Sequence, residues 1–145
     1  MTPPRLVEAA DELLRFLDAN GRSACLIGGI VVSRWGEPRA TKDVDLDISF
    51  GAFPFELEVL QRASYWQVTP DIALRTCSAE DLVLYKLVAA RLIDLHDVQS
   101  VVSRMGARLD ADRVRLWGGR FAEILEKPEL LDPFEAALRK PGRLP

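Results

Sequence analysis

Three aspartates stand at alternate positions in the segment Asp43-Val44-Asp45-Leu46-Asp47-Ile48-Ser49. Alternation of polar and apolar residues with period two predicts a β-strand, on which residues i and i+2 share a face. The carboxylates then line one side at spacings of roughly 7 Å, set by the 3.3 Å rise, while Val44, Leu46 and Ile48 turn to the core. Like charges on one face repel and aspartate forms strands poorly, so the arrangement costs stability unless a cation or solvent screens it. Paired carboxylates holding two hard cations about 3.5 to 4 Å apart are what in-line phosphoryl or nucleotidyl transfer needs, because the metals stabilise the attacking and leaving oxygens together. The same spacing also suits a solvated strand face whose charges protect a sheet edge. Asp47 in particular reads as a charged strand end.

A second chemical feature lies upstream. Gly28-Gly29 closes the apolar run Ala24-Cys25-Leu26-Ile27, which reads as a strand buried on both faces. It opens a short helix over 30–35, ended by Gly36 and the Glu37-Pro38 turn. A glycine pair in that position presents bare backbone amides to an anion, or simply makes a tight turn. It lacks the third glycine of G-x-G-x-x-G and the Gly-Lys-Ser/Thr of a P-loop. Thirteen residues separate Gly29 from Asp43, and among them Arg39 and Thr41 flank the acidic strand. A guanidinium there offsets the carboxylates, reaches a phosphate, or makes a surface ion pair.

Lys86 is the third feature, because it interrupts the otherwise apolar stretch Leu82 to Ala90. Eleven residues on, at 100° each, Asp97 returns to within about 20° of the same helix face, about 16 Å away on a straight helix. Asp94 and Asp97, three apart, resemble a capping box and predict a break near Asp94 that shortens this distance, with Asp94 as the cap. The alternative for Lys86 is a snorkelling side chain, and for Asp97 the cap partner.

The elements that must position these groups follow from periodicity and turn residues. Thr2-Pro3 starts a helix whose apolar positions Leu6, Ala10, Leu13, Leu14 and Leu17 run to an Asn20-Gly21 stop. A helix over 55–62 precedes strands over 65–68 and 72–76, which flank the Thr69-Pro70-Asp71 turn. Ser78-Ala79-Glu80-Asp81 fits a helix capping box and opens a strongly apolar helix. Further helices are predicted up to Met105, over 112–126 and over 129–139, with Gly118-Gly119 and Pro133 as interruptions. Strands first and helices second make an α+β fold in one domain: a sheet-containing part over about 22–77, a helical part over about 78–139 and a flexible tail over 140–145.

The chain has 145 residues, of which 48% are hydrophobic, and its 19 basic and 22 acidic residues leave a formal charge of -3. A domain of this length buries roughly 68 to 70% of its unfolded surface, so any metal serves chemistry rather than folding. A sequence pI near 5.2 excludes a basic nucleic-acid glove. It leaves a local patch of five arginines, at 104, 108, 113, 115 and 120, against Asp110 and Asp112. No run approaches the roughly 20 apolar residues of a membrane span, and the N-terminus lacks a signal-peptide core, so a cytoplasmic protein without membrane contact is expected. Cys25 and Cys77 read as buried hydrophobes. The lone His96 excludes zinc sites of several histidines and argues against a Ser-His-Asp triad. Trp35, Trp66 and Trp117 read as core residues rather than base-stacking platforms.

Taken together, Gly28-Gly29, the short helix through Gly36, Arg39-Ala40-Thr41-Lys42 and Asp43-Val44-Asp45-Leu46 resemble the nucleotidyltransferase superfamily that includes DNA polymerase beta. The string Arg-x-Thr-x-Asp-Val-Asp-Leu and the later series Glu80-Asp81-Leu82, Lys86-Leu87, Ala89, Arg91, Asp94 and Asp97 resemble its AbiEii-type branch, which includes toxins of toxin-antitoxin pairs. The resemblance spans residues 24 to 102. It implies that Gly28 and Gly29 bind a nucleoside triphosphate, beside which the flanking Arg39 and Thr41 are further nucleotide-binding candidates, that Asp43 and Asp45 bind Mg²⁺ or Mn²⁺, and that Lys86 contacts phosphate with Asp97 completing the site. It further implies transfer of a nucleoside monophosphate to an acceptor, with an antitoxin or other protein as a candidate partner; on the acceptor the motifs are silent, and the local arginine patch makes RNA the candidate. Many superfamily members supply a third carboxylate from a later strand. Here only Asp71 is near one and it reads as a turn residue, so the third ligand stays unassigned. The competing expectation is a catalytically degenerate fold of this type that works as a protein-binding partner or antitoxin.

Overall fold

In a computed structural model, which describes residues 3–48 and 53–140, the chain folds as a mixed α+β protein. Helix α1 (Pro4–Ala19) has Pro4 in its first turn, where a missing N–H costs nothing. Thr2, read as its start, lies outside the described residues. Its stop is as expected: Gly21 adopts φ +70 and the Arg22 amide donates to the Leu17 carbonyl at 2.9 Å.

Among the described residues the sheet has four short strands, β1 (Ala24–Ile27), β2 (Asp45–Ile48), β3 (Ser64–Gln67) and β4 (Ala73–Thr76), in the order β2-β1-β4-β3. β1 pairs antiparallel with β2 in the register Ile27↔Asp45 and Cys25↔Asp47. It pairs parallel with β4 at Leu26↔Thr76, and β3 pairs antiparallel with β4. Ala24, Cys25 and Leu26 are buried, as a central apolar strand requires. Helix α1 packs on β1 and β4. α2 (Gly29–Trp35) follows β1 directly, and α3 (Pro54–Arg62) buries Phe55, Val59 and Leu60.

The second half is helical: α4 (Ala79–Ala89), α5 (Leu92–Met105), α6 (Ala111–Ile124) and α7 (Asp132–Arg139), with a 3₁₀ turn at Gly106–Arg108. α5 packs against α4 and α7, and α4 against α6. Pro133, expected to interrupt a helix over 129–139, instead lies in the first turn of α7, which starts three residues later than expected. At Gly118, inside α6, a Cβ would meet Leu131 Cδ2 at 2.5 Å. Asp110 caps α6 by accepting from the Arg113 amide at 3.2 Å.

The chain divides into two compact units, one of residues up to Arg34 and from Pro38 to Ser78, the other of Trp35–Glu37 and the residues from Ala79 on. No helix among the described residues is long and apolar enough to cross a membrane. The tail predicted over 140–145 lies outside them from residue 141 on.

Candidate functional site

In the first unit the acidic strand and the glycine pair come together. Because Ile27 sits opposite Asp45, the residue after β1 faces the start of β2. Gly28 takes φ +77, a conformation that costs a side-chain-bearing residue about 1 to 2 kcal/mol. The space a Cβ would fill there is occupied by Asp45, whose Cβ and Cγ would lie 2.9 Å away and whose Oδ2 would lie closer still. At Gly29 a Cβ would meet Thr41 Oγ1 at 2.7 Å and Arg39 at 3.6 Å. The glycines therefore admit the carboxylate of Asp45 and the side chains of Thr41 and Arg39 against their backbone, which sequence reasoning read only as bare amides. Asp43 lies just before β2 and is exposed, as is Asp45.

The strand does not carry three equivalent aspartates. Asp47 is buried, at 6% exposure, and not the solvated strand end expected of it. Glu56, in the first turn of α3, stands near it. Burial, then the Asp47 charge, pushes the Glu56 carboxyl above its ordinary range. Leu46 is half-buried rather than fully turned to the core. The expected division into an acidic and an apolar face thus blurs, because Asp47 is buried while Leu46 and Ile48 are only half-buried.

Lys86, Asp94 and Asp97 come together in the second unit. The Lys86 ammonium lies 3.0 Å from Asp94 Oδ1 and 3.0 Å from Asp97 Oδ2, with all three residues at 5% exposure or less. A straight helix would hold the charges far apart, and a break closes the distance. It falls at Ala90–Arg91, near Asp94 as expected: Ala90 takes φ 55, Arg91 is extended and α5 begins at Leu92. The box that caps α5 is Arg91 with Asp94, in place of the Asp94 with Asp97 read from spacing. Asp94 accepts from the Arg91 amide at 3.1 Å, from Arg91 Nε at 2.7 Å and from Arg91 Nη2 at 3.2 Å. It is thus a cap, as expected, but at the third position of the helix and with Lys86 as a further partner. Burial alone would raise the Asp94 carboxyl. The Arg91 and Lys86 hydrogen bonds and the Lys86 charge outweigh it and hold the group below the usual carboxylate range. An ammonium has three donors, and the two carboxylates engage two of Lys86's.

Two buried ionic features carried no sequence signal beyond the Ser78-Asp81 string. Asp81, read as a box partner, is fully buried and pairs with Arg113 Nε at 2.9 Å. Glu80 accepts from the Asp110 amide at 2.9 Å. The arginine patch is correspondingly engaged within the protein. Arg113 is sequestered with Asp81, Arg115 pairs with Glu135 at 2.7 Å, Arg104 donates to the Gly36 carbonyl and Arg120 stacks 4.7 Å over Trp117. Trp117 is buried, as a core residue should be, and Trp35 and Trp66 are half-buried.

Among the described residues no group of three or more His, Cys, Asp or Glu side chains is placed to hold a metal ion. Asp43 and Asp45 offer two carboxylates at most. Mg²⁺ is commonly held by one or two carboxylates together with substrate phosphates and water, so this donor set, with the Asp45 carboxylate seated on Gly28, fits a cation that arrives with a polyphosphate. It does not make an all-protein cage. No protein-family model matches the chain, and no curated protein matches it either.

Proposed function

We propose that the chain is a Mg²⁺-dependent nucleotidyltransferase that moves a nucleoside monophosphate from a triphosphate to an acceptor. The observation that carries the reading is the seating of Asp45 against Gly28, with Asp43 beside it and Arg39 and Thr41 folded over Gly29. Backbone amides, a guanidinium and a hydroxyl suit phosphate oxygens, and two exposed carboxylates suit the cation that accompanies them. In the reaction an acceptor hydroxyl attacks the α-phosphorus, the new P–O bond forms in line as the bond to pyrophosphate breaks, and the hydroxyl proton leaves to solvent. When bound, the cation supplies charge stabilisation for the attacking and leaving oxygens. Asp43 and Asp45 hold it, and Gly28, Gly29, Arg39 and Thr41 hold the triphosphate, while in the second unit Asp94 and Asp97 hold Lys86 in a buried ion pair.

For the acceptor we favour an RNA 3′ end, as in a toxin of a toxin-antitoxin pair. The second reading is a degenerate fold of this type that binds a protein partner. It is favoured by the lack of a third converging carboxylate among the described residues and by the near-complete burial of Lys86 between two acids. Calorimetry separates the two. Triphosphate binding that appears with Mg²⁺ and vanishes in chelator supports the enzyme, whereas no binding with metal, or tight binding without it, rejects it.

A further inference from the structure

The two edges of the sheet differ in chemistry. β2 carries Asp45 and Asp47, and charge on an edge strand discourages further pairing. β3, Ser-Tyr-Trp-Gln, has neither a charged residue nor a proline, and Ser64, Tyr65 and Gln67 are exposed. Hydrogen-bonded pairs alternate along an antiparallel ladder. The Val68 amide donates to the Ile72 carbonyl at 2.9 Å, so Trp66 and Ser64 share that pairing phase, and Tyr65 and Gln67 turn their backbone N–H and C=O groups outward.

Beside this edge is a cavity of about 490 Å³ between α1 and the sheet. Tyr65, 71% exposed, forms one wall, and its cross-strand partner Arg75 lies on the same face. Arg15 and Arg22 complete a set of three guanidiniums against Asp11 and Asp18. Asp11 is already matched by Arg15 Nε at 2.9 Å. Arg75 donates to the Ser23 hydroxyl and the Ala24 and Leu60 carbonyls, so it contributes charge to the cavity wall while its terminal nitrogens are engaged in the protein. One further arginine adjoins the strand, Arg62, two residues before it. A chain paired to β3 would direct alternate side chains over this basic side.

We infer that β3 is a docking edge for an extended acidic segment of a partner protein, which adds as a fifth strand and sets carboxylates toward the cavity lined by Arg15, Arg22 and Arg75. The inference goes beyond the nucleotide reading and does not depend on it. Fluorescence polarisation on the full chain, with no nucleotide or Mg²⁺, would use a short labelled peptide of alternating threonine and glutamate. Its controls are the threonine-lysine counterpart and a glutamate peptide N-methylated at alternate residues along the pairing edge. The acidic peptide is expected to bind at least about tenfold more tightly than either control, and about tenfold more tightly to the native chain than to Arg15→Gln with Arg22→Gln. In ¹⁵N spectra the amides of Tyr65 and Gln67 should shift. Equal binding of the lysine peptide, binding that survives N-methylation, shifts confined to other elements, or no binding at about 1 mM would each overturn the inference. So would self-association of the free chain through β3, since the occupant would then be a second copy.

Discussion

Asp45 and Asp94 each lie beside a backbone turn, yet they should respond oppositely to loss of charge. Asp45 is exposed on a strand with a like-charged neighbour at Asp43, so Asp45→Asn is expected to keep or raise the apo melting temperature while abolishing Mg²⁺-dependent triphosphate binding. A fall in melting temperature with binding retained would make it a structural residue. Asp94 is buried and accepts from Lys86 and three Arg91 donors. Spacing alone made Asn an adequate replacement there, since it caps well. The ion pair changes that expectation: Asp94→Asn leaves a buried ammonium short of one acid and should cost about 3 kcal/mol in chemical denaturation. Because the native carboxyl is held low, the stability it lends is fully present above the unfolded value of about pH 3.9 and is lost as pH falls through its lower native value. The Asn variant should lack that part of the acid transition. Glu56 has the opposite sign. Its carboxyl is raised by burial and by Asp47, so its contribution is present below about pH 4.3 and lost as pH rises through the native value. Glu56→Gln should therefore raise the melting temperature at pH 7 and change it little at pH 4; equal shifts at both would remove the electrostatic explanation.

Between elements, the break from α4 to α5 is what brings Lys86 to Asp94 and Asp97, and it is made by an alanine in the left-handed region. Ala90 is exposed, so glycine relieves the backbone without loss of packing. Ala90→Gly should stabilise by about 0.5 to 1 kcal/mol, and Ala90→Val should destabilise, because a β-branched residue tolerates positive φ worst. The turn from β1 to α2 is the reverse case. Gly28→Ala adds both positive-φ strain and a Cβ where Asp45 sits. It should lower stability and displace the carboxylate, so that triphosphate affinity falls with Asp45 itself intact. Unchanged calorimetric binding in Gly28→Ala would separate the glycine from the site.

For the molecule as a whole the acceptor is read from charge. The net charge of -3 disfavours nonspecific binding to nucleic acid, and the internal partners of Arg104, Arg113 and Arg115 leave few guanidiniums for phosphate. On the RNA reading, phosphate contacts are therefore few. Incubation with labelled triphosphates and total RNA should label RNA, with a yield that falls as salt rises by the shallow slope of two or so phosphate contacts, roughly -0.7 per contact on single strands. Label in protein instead, or none, rejects the RNA acceptor, and none at all favours the binding-partner reading.

Local chemistry made most of the elements legible in the sequence: the Asn20-Gly21 stop, the apolar run of β1 closed by Gly28-Gly29, the strand pair around Pro70 and the α+β order. Each follows from residues within one or two turns of one another, where steric and hydrogen-bonding preferences act directly. The Lys86, Asp94 and Asp97 spacing was legible as a shared face. The left-handed Ala90 was not, since alanine has no intrinsic preference for that region and only the packing of α4 on α5 repays its strain. The burial of Asp47 beside Glu56 and the Asp81–Arg113 pair likewise join residues distant in sequence. Periodicity tells which residues share a face, whereas what covers that face is decided by the elements that pack on it. The same holds for Gly28: its identity announced a turn, and only the Ile27↔Asp45 register showed that a carboxylate fills the space a side chain would have taken.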